Sequence, residues 1–124
     1  RYCRNHQSRF TIINTSFKLS YTFNVSENLQ VLKKYCKWFR LFCCNGNKTI
    51  SDDFFVLLNK TVHTLYMRNC YQATITDKAF ENLKGTIHTL HMSYCDQTTI
   101  TDKAFENLKG TIHTLHMNGC RQTT

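Results

Sequence analysis

Residues 75–99 read ITDKAFENLKGTIHTLHMSYCDQTT, and residues 100–124 read ITDKAFENLKGTIHTLHMNGCRQTT. The two 25-residue segments differ at three places, Ser93 against Asn118, Tyr94 against Gly119, and Asp96 against Arg121. Self-similarity at a fixed period of about 20–50 residues is the signature of stacked units, and it decides the fold before any local reading does. One period earlier, residues 50–74 keep the skeleton in Ile50, Asp52, Phe55, Leu58, Val62, His63, Thr64, Leu65, Met67, Cys70, Gln72 and Thr74. Residues 25–49 hold a degraded copy, in which Leu29, Leu32, Cys36, Phe39, Leu41 and Cys44 find places after a one-residue deletion and a compensating insertion. The expected organisation is a basic cap or truncated preceding region over 1–24, a divergent repeat over 25–49 and three regular repeats over 50–124.

Within the unit, Leu90 and Met92 are two apart and share one face of a short strand. Thr101 then caps a helix through its hydroxyl, Asp102 meets the positive end of the helix dipole, and Ala104, Phe105 and Leu108 form an inward stripe. Gly110 supplies a left-handed stop. The same signals recur at Thr76, Asp77, Ala79, Phe80, Leu83 and Gly85, and less cleanly at Ser51, Asp52, Phe54, Phe55 and Leu58. One such unit cannot bury its apolar face alone, but stacking units about 4.8 Å apart through a parallel sheet builds a continuous core. The predicted fold is therefore an α/β solenoid with short parallel strands on the concave face and helices on the convex face.

The runs Ile75-Thr-Asp-Lys-Ala-Phe-Glu-Asn-Leu and Ile87-His-Thr-Leu-His-Met-Ser-Tyr-Cys resemble the cysteine-containing subtype of leucine-rich repeats. That subtype is the kind found in F-box/LRR proteins, including those abundant in amoeba-infecting giant DNA viruses. The resemblance covers residues 50–124 well and 25–49 poorly, and it implies an array that receives a substrate for a ubiquitin-ligase adaptor, with a separate F-box docking the scaffold. It also implies a place for Cys44, Cys70, Cys95 and Cys120: the repeat position where other leucine-rich repeats use Asn to tie down backbone as the chain leaves the strand. A buried thiol does this weakly while packing as a small hydrophobe.

Composition narrows the function classes. The chain has 124 residues, a formal charge of +8, seven Cys and 41% hydrophobic residues, so it can bury a core and is not a disordered tail. It contains no apolar run of about 18 residues and no signal-peptide pattern, so no membrane partner is expected. Seven cysteines with no C-x-x-C pair suit neither a zinc ribbon nor a complete disulfide set; free thiols predict an intracellular location, host cytoplasm or a virion included. Four sequons, at Asn14, Asn24, Asn47 and Asn59, would suit a secreted chain instead. No phosphate loop or nucleophile motif emerges, and paired acids such as Asp77 and Glu81 sit four apart on a solvated helix face where the dipole and Lys84 account for them, so neither enzyme activity nor a cofactor is expected.

The strand residues that alternate with Leu and Met are the candidate protein-binding surface: Thr64, Tyr66, Arg68 and Asn69; Thr89, His91, Ser93 and Tyr94; Thr114, His116, Asn118 and Gly119. Two of the three differences between the near-identical copies fall in this set, and Tyr66, Arg68 and Tyr94 are the expected anchors. His63, His88 and His113 should form one column about 5 Å apart and His91 and His116 a second, headed by Tyr66; protonation below about pH 6 should loosen both. Strand alternation places His88 and His91 on opposite faces, and no metal is assigned to them.

The charge is confined to residues 1–49, which hold nine basic side chains and one acid, Glu27. Interleaved with Tyr2, Phe10, Phe17, Tyr21, Phe23, Tyr35, Trp38 and Phe39, they could hold nucleic acid, although Phe17, Leu19, Tyr21 and Phe23 also alternate as a strand with one buried face. The rival reading is a structural or assembly role, by self-association through the C-terminal repeat edge, with nucleic-acid binding third.

Overall fold

The computed structural model describes residues 16–120, together with the backbone of residues 10–13. Six strands form one sheet in chain order: β1 (Phe10–Ile13), β2 (Ser16–Leu19), β3 (Leu41–Cys43), β4 (Thr64–Tyr66), β5 (Thr89–His91) and β6 (Thr114–His116). β1 runs antiparallel to β2, and every later pair is parallel. The crossovers carry α1 (Leu29–Cys36), α2 (Asp52–Val56), α3 (Asp77–Phe80, continued by a 3-10 turn over Glu81–Leu83) and α4 (Asp102–Glu106). The protein is α/β, with five parallel strands and a helix between each consecutive pair.

The register repeats from strand to strand. Thr64 pairs with Thr89 and Thr89 with Thr114; Leu65, Leu90 and Leu115 line up on adjacent parallel strands, as the period requires; Tyr66 pairs with His91 and His91 with His116. The ladder continues past the strand ends, where Met67 N donates to His91 O and Met92 N to His116 O, both at 2.8 Å.

Alternation explains what is buried. Phe17, Phe42, Leu65 and Leu90 point inward and are almost wholly buried, while Leu115, on the outermost strand, stays 39% exposed. On the helical side the rings of Phe55, Phe80 and Phe105 form a second column, with centroids 6.3 and 5.9 Å apart. Each such buried ring contributes roughly 2–3 kcal/mol, so most of the stability lies between units rather than inside them.

The helix limits follow the predicted signals in part. Thr76 and Thr101 accept from Lys78 N and Lys103 N through their hydroxyls, whereas Ser51 makes no such cap bond. Gly85, at φ 84°, follows the C-cap Lys84, but the expected stop at Gly110 is not the helix end: Gly110 at φ 88° and Lys60 at φ 66° lie three residues past the C-caps Asn107 and Leu57, and the left-handed conformation costs Lys60 about 1–2 kcal/mol because it carries a Cβ. The acids do more than answer the dipole. Asp52 accepts from Thr76 N and Thr76 Oγ1 at 2.8 and 2.6 Å, and Asp77 from Thr101 N and Thr101 Oγ1 at 2.6 Å each. Each carboxylate therefore clamps the N-cap of the next unit.

Three expectations for the first half are corrected by the register. Phe42, not Leu41, pairs with Leu65 and fills the core; Leu41 pairs with Thr64 and is half-buried. β2 pairs in parallel with β3, so the parallel series begins one strand before the divergent repeat. The alternating run ends at Leu19: Tyr21 is 72% exposed, because the chain turns after β2.

Candidate functional site

The turns that leave the strands are held by buried polar side chains that recur once per unit. Cys70 Sγ donates to Cys44 O at 3.2 Å, Cys95 Sγ to Met67 O at 3.0 Å and Cys120 Sγ to Met92 O at 3.0 Å. Cys44 does not share their slot. Its backbone N–H bonds Tyr66 O as Met67 N bonds His91 O, so Cys44 holds the place of Met67, and its thiol points forward to Tyr66 O at 3.4 Å. The slot belongs to Asn47, which follows left-handed Gly46 as Cys70 follows Asn69, Cys95 follows Tyr94 and Cys120 follows Gly119. Asn47 Nδ2 donates to Ser20 O at 2.9 Å and Phe23 O at 2.8 Å.

Two further ladders escaped the sequence reading. Gln72 Nε2 donates to Asn47 O and Ile50 O, and Gln97 Nε2 to Cys70 O and Gln72 O, all at 3.0–3.1 Å. Thr49, Thr74 and Thr99 reach Phe23 O, Ile50 O and Ile75 O with their hydroxyls. The signal was present in the sequence as Gln and Thr recurring at 25-residue spacing, but a polar residue that recurs on a surface and one that recurs inside look alike until a backbone is laid beside them.

Four of the thiols are held protonated, whereas the hydrogen bond shared with Cys44 lowers the pKa of Cys70 against its burial. Burial pushes Cys36 and Cys95 up to about 12 and also raises Cys120; the hydrogen bond shared with Cys70, and then burial, raises Cys44. Protonated thiols are poor nucleophiles and poor metal ligands. Cys36, Cys43, Cys44, Cys70 and Cys120 are free thiols; Cys3 lies outside the described residues.

Above these ladders lies the candidate surface. Thr64, Tyr66, Thr89 and His91 are half-buried, and Arg68, Asn69, Tyr94, Thr114, His116, Asn118 and Gly119 are exposed. Ser93 departs from the expectation: it is buried, and its carbonyl accepts from Asn69 N at 3.0 Å. Gly46, Asn69, Tyr94 and Gly119 occupy one left-handed position, at φ 74°, 61°, 64° and 79°. The ring of Tyr94 crosses to the next unit and covers Gly119, where a Cβ would lie 2.5 Å from Tyr94 Cδ1. Tyr94 and Tyr71, each about half exposed, frame with Asp96 and Gly119 a cleft of about 410 Å³. Lys48 lies 4.1 Å over the Tyr71 ring and also donates to Asn69 O.

Both histidine columns form. The centroids of His63 and His88 are 4.9 Å apart, those of His88 and His113 5.1 Å, those of Tyr66 and His91 4.5 Å, and those of His91 and His116 4.2 Å. His88 is exposed rather than inward, because Ile87 takes the buried place beside it and alternation starts only at Thr89. Near-parallel stacking aims the ring lone pairs side by side instead of at one point, and among the described residues no three ligating side chains converge. Desolvation, then Arg40 and His88, lower the His63 pKa, and Arg40 Nη1 donates to His63 Nε2 at 3.1 Å. Desolvation, then His116 and Arg68, lower that of His91.

Of the aromatics in the basic third, Phe17 and Phe23 are buried, Tyr35 and Phe39 half-buried, and Tyr21 and Trp38 exposed; Tyr2 and the Phe10 side chain lie outside the described residues. Asn47 cannot carry a glycan without losing its bonds, since Nδ2 is the atom a glycan would take. The Asn14 sequon lies outside the described residues. Among the described residues no helix is long and apolar enough to cross a membrane. No protein-family model and no curated protein matches the chain.

Proposed function

We propose that the chain is a non-catalytic protein-interaction module, built as a leucine-rich-repeat solenoid that recognises its partner on the strand face. The observation that carries this is the cleft between Tyr71 and Tyr94: two half-exposed tyrosines, set by a rigid ladder, beside the Tyr66–His91–His116 column. Tyrosine gives large contact area at low entropic cost, and such anchors dominate protein interfaces. A concave strand face is supported by spacing, since rings stack 4.2–4.5 Å apart over the strands and 5.9–6.3 Å apart among the helices. The Asn and Cys slots at 47, 70, 95 and 120 support the repeat class. Free thiols fit a reducing compartment, and the resemblance of residues 50–124 points to the receptor arm of an F-box-type adaptor.

The test is selection of binding peptides from a display library on the full chain, followed by titration of the selected peptide. Binding should weaken about 10- to 30-fold in Tyr94→Ala or Tyr71→Ala, the scale of a hot-spot residue, and unchanged affinity in both variants would refute the reading.

A further inference from the structure

The proposed partner surface uses none of the unbalanced charge. α1 carries Lys33 and Lys34 in its last turn, and Lys37 and Trp38 follow it directly. Two hollows open there and share Lys37. One, of about 540 Å³, is lined by Gln30, Lys33, Lys34, Lys37, Val56 and Leu57; the other, of about 230 Å³, by Lys37, Trp38, Phe39, Arg40, Lys60, Thr61 and His63. Five cations therefore border this two-part depression, whose hollows share the Lys37 side chain, and no carboxylate lines either part. Trp38 is 70% exposed yet held in place, with Nε1 donating to Lys34 O at 3.1 Å and Lys37 Nζ 5.5 Å from its ring. Leaving a large aromatic in water gains the fold nothing, and clustering five like charges costs stability. Both features favour a ligand that brings repeated negative charge and flat apolar faces.

We propose that this depression binds single-stranded nucleic acid, phosphates lying against Lys33, Lys34, Lys37, Arg40 and Lys60 while one base stacks on Trp38. A duplex keeps its bases stacked inside, so only an unpaired strand offers a face to the indole, and an acidic peptide matches the charge but not the ring. The site lies on the crossovers rather than on the strand face, so it stands or falls independently of the protein-binding reading.

Trp38 is the single tryptophan of the chain, so tryptophan emission, excited selectively over the six tyrosines, reports on this site alone. A dT15 oligonucleotide titrated into the full chain at low salt should quench that emission saturably, while poly-glutamate should not. Affinity should fall with salt at a log–log slope of about −2 to −3.5, as for three to five phosphates on a single strand. Trp38→Ala, read by the anisotropy of labelled dT15, should weaken binding roughly 5- to 100-fold, the worth of one base–aromatic stack. Lys33→Gln with Lys37→Gln should shorten the salt slope by about 1.4. Circular dichroism of both variants should match the parent. Binding unaffected by either variant places the oligonucleotide elsewhere and overturns the proposal, as does equal quenching by poly-glutamate or no quenching at all.

Discussion

Replacing Asn47 by Ala tests whether this residue holds the first parallel turn as the cysteines hold the later ones. Asn47 is fully buried: Nδ2 donates to Ser20 O and Phe23 O, and Oδ1 accepts from Thr49 N at 2.9 Å and lies 2.7 Å from Thr49 Oγ1, whose single proton it shares with Phe23 O. The two carbonyls keep other donors, Phe23 N on Ser20 O and Thr49 Oγ1 on Phe23 O, so neither is orphaned. Thr49 N has Asn47 Oδ1 as its acceptor and loses it. Two or three net bonds at about 1 kcal/mol each, plus one stranded amide, give a loss of about 3–4 kcal/mol. That is a large share of the stability of a small domain, and it should lower Tm by roughly 10–20 °C. Urea unfolding followed by circular dichroism at 222 nm measures it. Asn47→Cys should recover about 1 kcal/mol relative to Ala, because a thiol in this slot reaches one carbonyl, as it does at Cys95 and Cys120. Asn47→Asp should do no better than Ala, since a carboxylate would face two carbonyl oxygens with no proton to give them. A loss below 1 kcal/mol in Ala, or an Asp variant more stable than Ala, would refute the register that places Asn47 in the cysteine slot.

Gly119→Ala should cost about 1–3 kcal/mol, from the left-handed φ and from the 2.5 Å approach to Tyr94; in a Tyr94→Ala background only the backbone part should remain, so a double-mutant cycle should show coupling above 0.5 kcal/mol. The His63 and His91 pKa values are lowered in the folded chain, so their contribution to stability is complete above about pH 6.5 and is lost as pH falls from there through the folded values. Melts should therefore drop between pH 7.5 and pH 5, and the part of the drop due to Arg40, His88, His116 and Arg68, which is secondary to desolvation, should shrink at 1 M salt; coincident melts would contradict this. Cys36, Cys44 and Cys95 should resist an aromatic disulfide reagent in the native protein and titrate fully in denaturant, which a thiol count reads directly.

What the sequence made legible was whatever repeats faithfully. The duplicated segments place Leu90 on Leu115, His88 on His113 and Thr76 on Thr101 without ambiguity, because insertion-free copies can stack only in one register. The earlier units went astray where the spacing changes. From Leu41 to Thr64 the strands advance by 23 residues, and the two missing positions are recovered between Asn47 and Ile50, where Cys70 and Ile75 lie two residues farther apart. An alignment that asks only for cysteine on cysteine therefore takes Cys44, three residues short of the true slot. The carboxylate clamps were missed for another reason. Asp52 and Asp77 suit a helix start so well that the dipole explained them, and only the next unit's backbone shows the second partner.

The differences between the two copies gain a physical reading from the same geometry. A left-handed position favours glycine, and Gly46 and Gly119 conform, while Asn69 and Tyr94 carry side chains there. Because the Tyr94 ring leans across its neighbour, a further side chain at 119 would displace it. A tyrosine at 119 would thus stand against the Tyr94 ring, whereas Gly119 leaves room around Tyr71, Tyr94 and Asp96. Tyr94, Gly119 and Asp96, three of the diverged positions, line this one cleft, and Arg121 lies outside the described residues. Packing alone is enough to require the difference between Tyr94 and Gly119, so divergence on this face is weak support for a ligand. The stronger support is that Tyr94 remains, in a backbone conformation costing about 1–3 kcal/mol, half exposed and holding no buried core contact in return.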